Sequence, residues 1–501
     1  MGLSSVLSML VFSPLVGIVV LLFMPKSQEK LIKTVGFLFT LPALILSLAA
    51  YFHYQAGKDL NDFSVSVPWI QFGNLQDEHN LFSVYYELGL NGFSMLLVVL
   101  VAVVATLAAI ASIYIKKEWK GFFMLFLLLE TGMLGVFTAQ NLILFFVFFE
   151  VTLIPTFFLV GKWGYFEKEK AAYSFLIYNG LGSAILLIVI MILFSKTGTT
   201  NIDALYQTIN SPNGPLSSDL KMGLFIGFLL AFGVKLPIVP LHTWMLRVHV
   251  NAPIPTVMIH SGILLKIGAY GLIRFGMGLF PDQFDTLAVL LAILGVVNLL
   301  FGAYLAFIQT DFKMVLAYSS VSHMGIVLIG LAAMNTAGVQ GAIFQVVSHG
   351  LISALLFFLV GALYERTETS MIGNLGGMAK GMPIIAGFLL LGAVASLGLP
   401  GMSGFVSEFM AFLGLFKAMP VIAAIGTLGI IMTAAYLLRS VLGMTFGKAH
   451  RDFAGTLDLK GVEYVPVLIL TALIVLIGVY PSVLSTPLHS TLETIMLGLG
   501  G

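Results

Sequence analysis

Seven side chains in this sequence have the chemistry of proton carriers and stand where water is scarce. Glu130, Glu150 and Glu408, with Lys235 and Lys266, lie well inside long apolar runs, and His323 and His349 occupy the middles of two more. A charge at the centre of a bilayer costs ~2.5–3.5 kcal/mol on insertion scales, so five unpaired would cost on the order of 12–18 kcal/mol. Lys235 stands about twelve residues and Lys266 about nine from the nearer end of its run, roughly 13–18 Å at helical rise, too deep for the ammonium to snorkel easily. A carboxylate and an ammonium hold each other ionised in a medium of low dielectric, and separating them lets the lysine release its proton. A proton carrier needs that switch, which arginine lacks because it stays protonated. Imidazole both donates and accepts, and titrates near neutrality.

Each residue also has a plain structural reading, as a hydrogen bond between helices, and Glu130 fits that reading as well as it fits a carrier. His242 and His260 are weaker candidates. His260 precedes Lys266 by six residues and so points to another helix face, while His242 is placed to cap part of a broken helix. None of these four histidines has an i, i+4 partner or a carboxylate at ligand spacing, so no metal site is expected from them. The runs Gly373-Asn374-Leu375-Gly376-Gly377 and Gly398-Leu399-Pro400-Gly401 follow no strand and match no nucleotide-binding pattern, so no cofactor is expected.

The elements that must position these groups follow from composition. With 59% hydrophobic residues, 9% charged residues and a mean hydropathy of +1.04, the 501-residue chain is read as a single membrane domain. A net charge of +1 offers no basic surface to nucleic acid, and the absence of cysteine excludes thiolate-held clusters and disulfides within the chain. Apolar segments fall near 3–24, 31–54, 91–115, 119–138, 141–160, 171–195, 222–247, 252–275, 284–308, 312–334, 338–364, 382–417, 420–446 and 464–485. The expected fold is all-α, with about fourteen transmembrane helices. The first segment lacks a basic leader and a small-residue cleavage site, and is read as a retained helix.

Positive charge alternates between the two sides. Loops after odd-numbered helices, with their flanks, hold sixteen: Lys26, Lys30, Lys33, Lys116, Lys117, Lys120, Lys162, Lys168, Lys170, Arg247, Lys313, Arg366, Lys380, Lys448, Arg451 and Lys460. The other side has five, Lys58, Lys196, Lys221, Arg274 and Lys417, with acids that include Asp77 and Glu78. The lysine-rich side is therefore expected in the cytoplasm, with both termini outside.

Segments 7 and 12 each carry a central proline, in Lys235-Leu236-Pro237 and Gly398-Leu399-Pro400, and residues 382–417 would make a helix of ~54 Å at 1.5 Å per residue. Such lengths predict interrupted helices, although a central proline can also simply kink one. Their opposite directions and five-helix separation suggest two inverted repeats, helices 4–8 (119–275) and 9–13 (282–446). These are flanked by 1–118 and by 447–501 with helix 14.

The run Phe232-Gly233-Val234-Lys235-Leu236-Pro237-Ile238-Val239-Pro240-Leu241-His242-Thr243-Trp244 resembles the signature of antiporter-like subunits shared by respiratory complex I and Mrp-type cation/proton antiporters. So do Ile263-Leu264-Leu265-Lys266, Ser320-Val321-Ser322-His323-Met324-Gly325 and Ser348-His349-Gly350-Leu351, and the resemblance spans essentially the whole chain. Phe405-Val406-Ser407-Glu408-Phe409 puts a glutamate where the NuoM group has one and the other groups usually have lysine. The NuoM resemblance implies a proton-translocating subunit of NADH:quinone oxidoreductase in a bacterial cell membrane. It also implies that NADH, FMN, iron–sulfur clusters and quinone are bound by other subunits, the partners being those membrane subunits. By motif, Glu150 and Lys235 correspond to the family's coupled carboxylate–lysine pair. Lys266, His323 and His349 match its connecting path, and Glu408 its terminal carrier. One departure is Trp244-Met245-Leu246-Arg247-Val248-His249, where relatives often have an acid at the position of Arg247.

Three other functions remain open on the sequence: an Mrp-type sodium/proton antiporter subunit, an intramembrane acid/base enzyme using His349 or Glu150, and a structural subunit. The enzyme is disfavoured because the ionisable groups spread over many helices instead of converging on a nucleophile.

Overall fold

Runs this long and apolar satisfy their backbone in lipid only as helices. The protein is described by a computed structural model covering residues 4–73, 81–448, 453 and 455–498. Helices α1 (Ser4–Phe23), α2 (Glu29–Gln55), α3 (Gly92–Tyr114), α4 (Trp119–Thr138), α5 (Leu142–Trp163) and α6 (Lys168–Thr197) are each long and apolar enough to cross a membrane. An interrupted unit, α7a (Ser218–Lys235) and α7b (Thr243–Asn251), comes next. Then follow α8 (Ile254–Met277), α9 (Ala288–Ile308), α10 (Phe312–Ala332) and α11 (Thr336–Thr367). A second interrupted unit, α12a (Pro383–Ser396) and α12b (Ser403–Ala418), precedes α13 (Pro420–Phe446) and α14 (Gly461–Val479). Among the described residues twelve helical spans are long and apolar enough to cross a membrane. The all-helical membrane fold expected from the sequence is the fold found, and its segments 7 and 12 are broken.

Two elements were not foreseen. The stretch between α2 and α3 contains an antiparallel hairpin, β1 (Val65–Gly73) and β2 (Leu81–Leu88), pairing Val65 with Leu88 and shifting register between Pro68 and Ile70. The apolar segment expected to run to 485 stops at Val479, and a separate helix, α15 (Ser482–Gly498), begins after Pro481. Proline lacks the N–H that would continue the ladder. Helix α15 is tied down by Gly92 N–H donating to Thr491 Oγ1 (3.0 Å) and Tyr51 Oη donating to the Val483 carbonyl (2.9 Å).

Burial is graded from the centre outward. The apolar windows of α8 and α11 are buried along their whole length, whereas only about a third or less of those of α1, α2, α13 and α14 is buried. A helix apolar all round suits either lipid or a protein interior, so only packing separates the two groups. The innermost helices are the ones that carry Lys266 and His349.

The loops segregate by end. At one end Lys116 pairs with Glu365 (2.7 Å), Lys162 with Glu118, and Arg366 with Glu463 (2.6 Å), while Lys120 Nζ donates to the carbonyls of Leu22 and Met24 (2.9 Å each). At the other end Glu87 accepts from Asn201 (3.1 Å) and Arg274 donates to Gln140 (2.7 Å). The alternation of lysine-rich and lysine-poor loops thus corresponds to two opposite ends of the bundle. Asp77, Glu78 and Arg451 of the charge tally lie outside the described residues.

Candidate functional site

Both interruptions place an ionisable side chain at the end of a half-helix. Lys235 is the last residue of α7a, where the helix's free carbonyls favour a cation. The chain then leaves helical form. Ile238 N–H reaches back to Gly233 (2.9 Å), and the exposed backbone groups are taken up by Asn298 of α9. Asn298 Oδ1 accepts from Val239 N–H (2.8 Å), and its Nδ2 donates to the carbonyls of Pro237 (3.1 Å) and Val321 (3.4 Å). Trp244 Nε1 donates to the Val234 carbonyl (3.1 Å), folding α7b back onto α7a.

In the second interruption Leu399 N–H reaches Val394 (3.0 Å) and Gly398 adopts φ +80°. Only glycine serves well there, because the left-handed backbone strains other residues and a Cβ would stand 2.8 Å from Glu408 Oε2. Glu408 lies in the second turn of α12b, near the end whose free N–H groups favour an anion.

From Lys266 to Glu408 the polar groups form a nearly continuous line. Lys266 Nζ donates to the Ser261 carbonyl (2.9 Å) and meets His349 Nδ1 at 2.6 Å. The Ser261 carbonyl belongs to a π-helical turn, His260–Leu264, a local widening common at functional sites. The rings of His349 and His323 lie 5.5 Å apart, and His323 Nδ1 stands 3.4 Å from Glu408 Oε1. Gln345 approaches the same Nδ1 at 3.2 Å, and Ser396 Oγ lies 3.0 Å from His323 Nε2. Because Ser407 Oγ donates to Gln345 Oε1, the amide turns its NH₂ toward His323. A neutral His323 then accepts from Gln345, whereas an imidazolium gives its Nδ1 proton to Glu408. The cluster can accommodate one proton more or fewer without rearranging its backbone. Two cavities of about 10 Å³ each, roughly one water in size, touch His349, and the second is also lined by His323 and Glu408.

Lys235 is different in kind. It is 2% exposed, its Nζ makes no hydrogen bond, and it lies over the rings of Phe149 (4.7 Å) and Phe175 (5.6 Å). No direct ion pair joins it to half-buried Glu150, whose Oε1 is also without a partner, although the Glu150 charge acts on Lys235 through space. The carboxylate and the ammonium are thus not in direct contact, and aromatic faces hold the ammonium.

The distance between Lys235 and Lys266 is bridged by two histidines, one of which sequence reasoning passed over. His249 Nε2 lies 3.0 Å from His260 Nδ1, both rings being buried. His260 packs against Trp244 and against Phe175, one of the rings at Lys235, and His249 lies within electrostatic reach of Lys266. His260 and Lys266 do leave α8 toward different partners, as their spacing required. His249 stands in the departing motif two residues after Arg247, which is exposed and whose charge reaches Glu167. The available signal was an imidazole on the apolar side of that short helix. His242 makes no cap hydrogen bond, contrary to its expected capping role, and sets its ring edge-on to Phe301 (5.5 Å). Glu130 is fully buried with both carboxyl oxygens unpartnered, so it is not the interhelical hydrogen bond of the structural reading.

A bundle of membrane helices with two interruptions and ionisable groups strung between them defines an antiporter-like membrane subunit. The family model described as "NADH:quinone oxidoreductase/Mrp antiporter, TM" matches residues 139–433, and the chain belongs to this family. It is 38% identical to NAD(P)H-quinone oxidoreductase chain 4 1 of Picosynechococcus sp., over 94% of this chain and 88% of the relative. With NADH-quinone oxidoreductase subunit M of Rhodobacter capsulatus it shares 34% identity over 96% and 94%. Among solved structures, a chain of respiratory complex I from Thermus thermophilus with bound NADH is 31% identical. It superimposes with a TM-score of 0.87, covering 99% of this chain and 100% of that one.

Proposed function

We propose that this chain is a proton-translocating membrane subunit of an NADH:quinone oxidoreductase, of the subunit M type, driven by electron transfer in other subunits. Its setting is a bacterial inner membrane, with the lysine-rich end in the cytoplasm and both termini outside. The two repeats, 119–275 and 282–446, each contribute one interrupted helix. NADH, FMN, iron–sulfur clusters and quinone belong to neighbouring subunits, which are its partners. The observation that carries the reading is the line Lys266–His349–His323–Glu408, whose links are short enough for direct or single-water proton transfer. The relatives' names supply the oxidoreductase; a sodium/proton antiporter subunit is the rival.

The residues divide the work as follows. Glu150 moving toward Lys235 stabilises the ammonium, and moving away leaves a cation among aromatic walls with nothing to neutralise it, so a proton is released. His260 and His249 carry it toward Lys266, whose proton passes to His349, then His323, then Glu408. Glu408 stands nearest the outward exit. Moving one charge against 100 mV costs ~2.3 kcal/mol, comparable to fewer than two pKa units at ~1.36 kcal/mol each, so modest electrostatic changes drive each step.

The test is proton pumping in membranes carrying Lys235→Ala, with NADH oxidation by an artificial acceptor as the assembly control. Pumping and quinone-linked turnover should fall at least about tenfold, ~1.4 kcal/mol in rate, while the control is unchanged. Intact pumping in the assembled complex would leave only the structural-subunit reading.

A further inference from the structure

The line of carriers needs a connection to the aqueous phase at the lysine-rich end, and one buried cation there is unused. Lys313 follows the N-cap of α10, its N–H bonded to Asp311 Oδ1 (2.8 Å), and it is 6% exposed. Its Nζ lies 4.2 Å from the ring centre of Tyr165 and 3.8 Å from that of Tyr364. Among the described residues no carboxylate forms an ion pair with it; Asp311 and Glu365 act on it through space. Tyr165 Oη donates to Glu365 Oε1 (3.4 Å), and Glu365 Oε2 meets Lys116 Nζ (2.7 Å), a side chain 78% exposed. Polar contacts thus run from solvent through Lys116 and Glu365 to the Tyr165 hydroxyl, whose ring carries the buried ammonium on its face.

On the inner side of Lys313, one of the water-sized cavities lies among α10, α11 and α12a, lined by Ser319, Ser320, His349, Ser353 and Ser396. Ser320 is two helical turns from Lys313, roughly 10 Å at helical rise, and both residues are on α10.

We propose that Lys313, caged by Tyr165 and Tyr364, is the proton inlet from the lysine-rich end, feeding His349 through the serine-lined cavity. This rests on the proton-translocating reading above. The ammonium gives a proton to a short file of water leading to the cavity, which passes it to His349, and Lys313 is recharged from solvent by way of Glu365, the Tyr165 hydroxyl and a bridging water. Only N–H and O–H bonds are made and broken. The aromatic cage suits such a group because it holds the cation without the fixed countercharge that would trap its proton.

The alternative is a staple that merely fixes the residue 163–168 loop and the end of α11. Lys313→Arg separates the two. Arginine stacks on aromatic rings and keeps the charge but does not release a proton, so a staple survives and an inlet does not. In assembled membranes, Lys313→Arg should lower pumping and quinone-linked turnover at least about fivefold, with artificial-acceptor NADH oxidation unchanged. Retention of more than half the pumping overturns the inlet. Tyr165→Phe keeps the ring and removes the link to Glu365, and should slow turnover about threefold. If Lys313→Arg does not assemble, Tyr165→Phe decides, and unchanged turnover there overturns the inlet. Lys235→Ala measured in parallel tells the two readings apart. Normal pumping in Lys313→Arg with pumping lost in Lys235→Ala removes only the inlet, and normal pumping in both removes the proton-translocating reading as well.

Discussion

The two helix interruptions solve one problem in opposite ways. At the first, a lysine ends a half-helix among phenylalanine rings, makes no hydrogen bond, and feels Glu150 only through space. At the second, a glutamate near the start of a half-helix faces an imidazole already linked to an amide and a serine. The first site is held by its field and the second by its contacts. A group held by field responds to a distant charge, which suits the place where a stroke begins. A group inside a hydrogen-bonded line exchanges protons with its neighbours, which suits the place where one ends.

This contrast is most sharply tested at Lys235. Lys235→Arg keeps the cation over Phe149 and Phe175, yet quinone-linked turnover should fall about tenfold or more, ~1.4 kcal/mol or more in rate. Near-normal turnover would make the first interruption a fixed cation site. At the second interruption Glu408→Gln keeps size and hydrogen bonding without the proton, and pumping should fall about fivefold, read from acidification coupled to NADH oxidation. Undiminished pumping would remove Glu408 from the path and weaken the subunit M assignment.

The field argument has its own pair of variants. Glu150→Gln should cost more pumping than Glu150→Asp, by about threefold, because the charge survives in the second and no contact geometry is at stake. Equal loss in both would point to shape. The smallest effect on rate is expected from Asn298→Ala. It strips partners from two backbone groups at the first interruption and should lower stability by ~1–3 kcal/mol per group, measured by thermal inactivation of the complex. An unchanged inactivation temperature would mean that the interruption supports itself, as the second one does with Gly398.

How much of this was legible in the sequence depended on how local the cause was. Mean hydropathy and run length announced membrane helices because the bilayer imposes length and internal hydrogen bonding on each segment separately. Pro237 and Pro400 announced the interruptions because proline acts on its own backbone. The buried Lys, Glu and His stood out against apolar neighbours for the same reason. The hairpin of Val65 to Leu88 was hidden because its strands are short and only partly apolar. Helix α15 was hidden because it follows α14 without a polar gap. The open arrangement of Glu150 and Lys235, and the pairing of His249 with His260, depend on how α5, α7a, α7b and α8 pack. No single segment encodes that.

Asn298 also bears on whether this protein can be divided. It belongs to α9, yet it closes the backbone of the interruption between α7a and α7b, an earlier part of the chain. A chain cut between 275 and 282 would leave the Val239 amide and the Pro237 carbonyl facing an apolar interior with nothing to bond. The residues before 275 therefore do not close the interruption at Pro237 by themselves; a side chain further along the chain completes it.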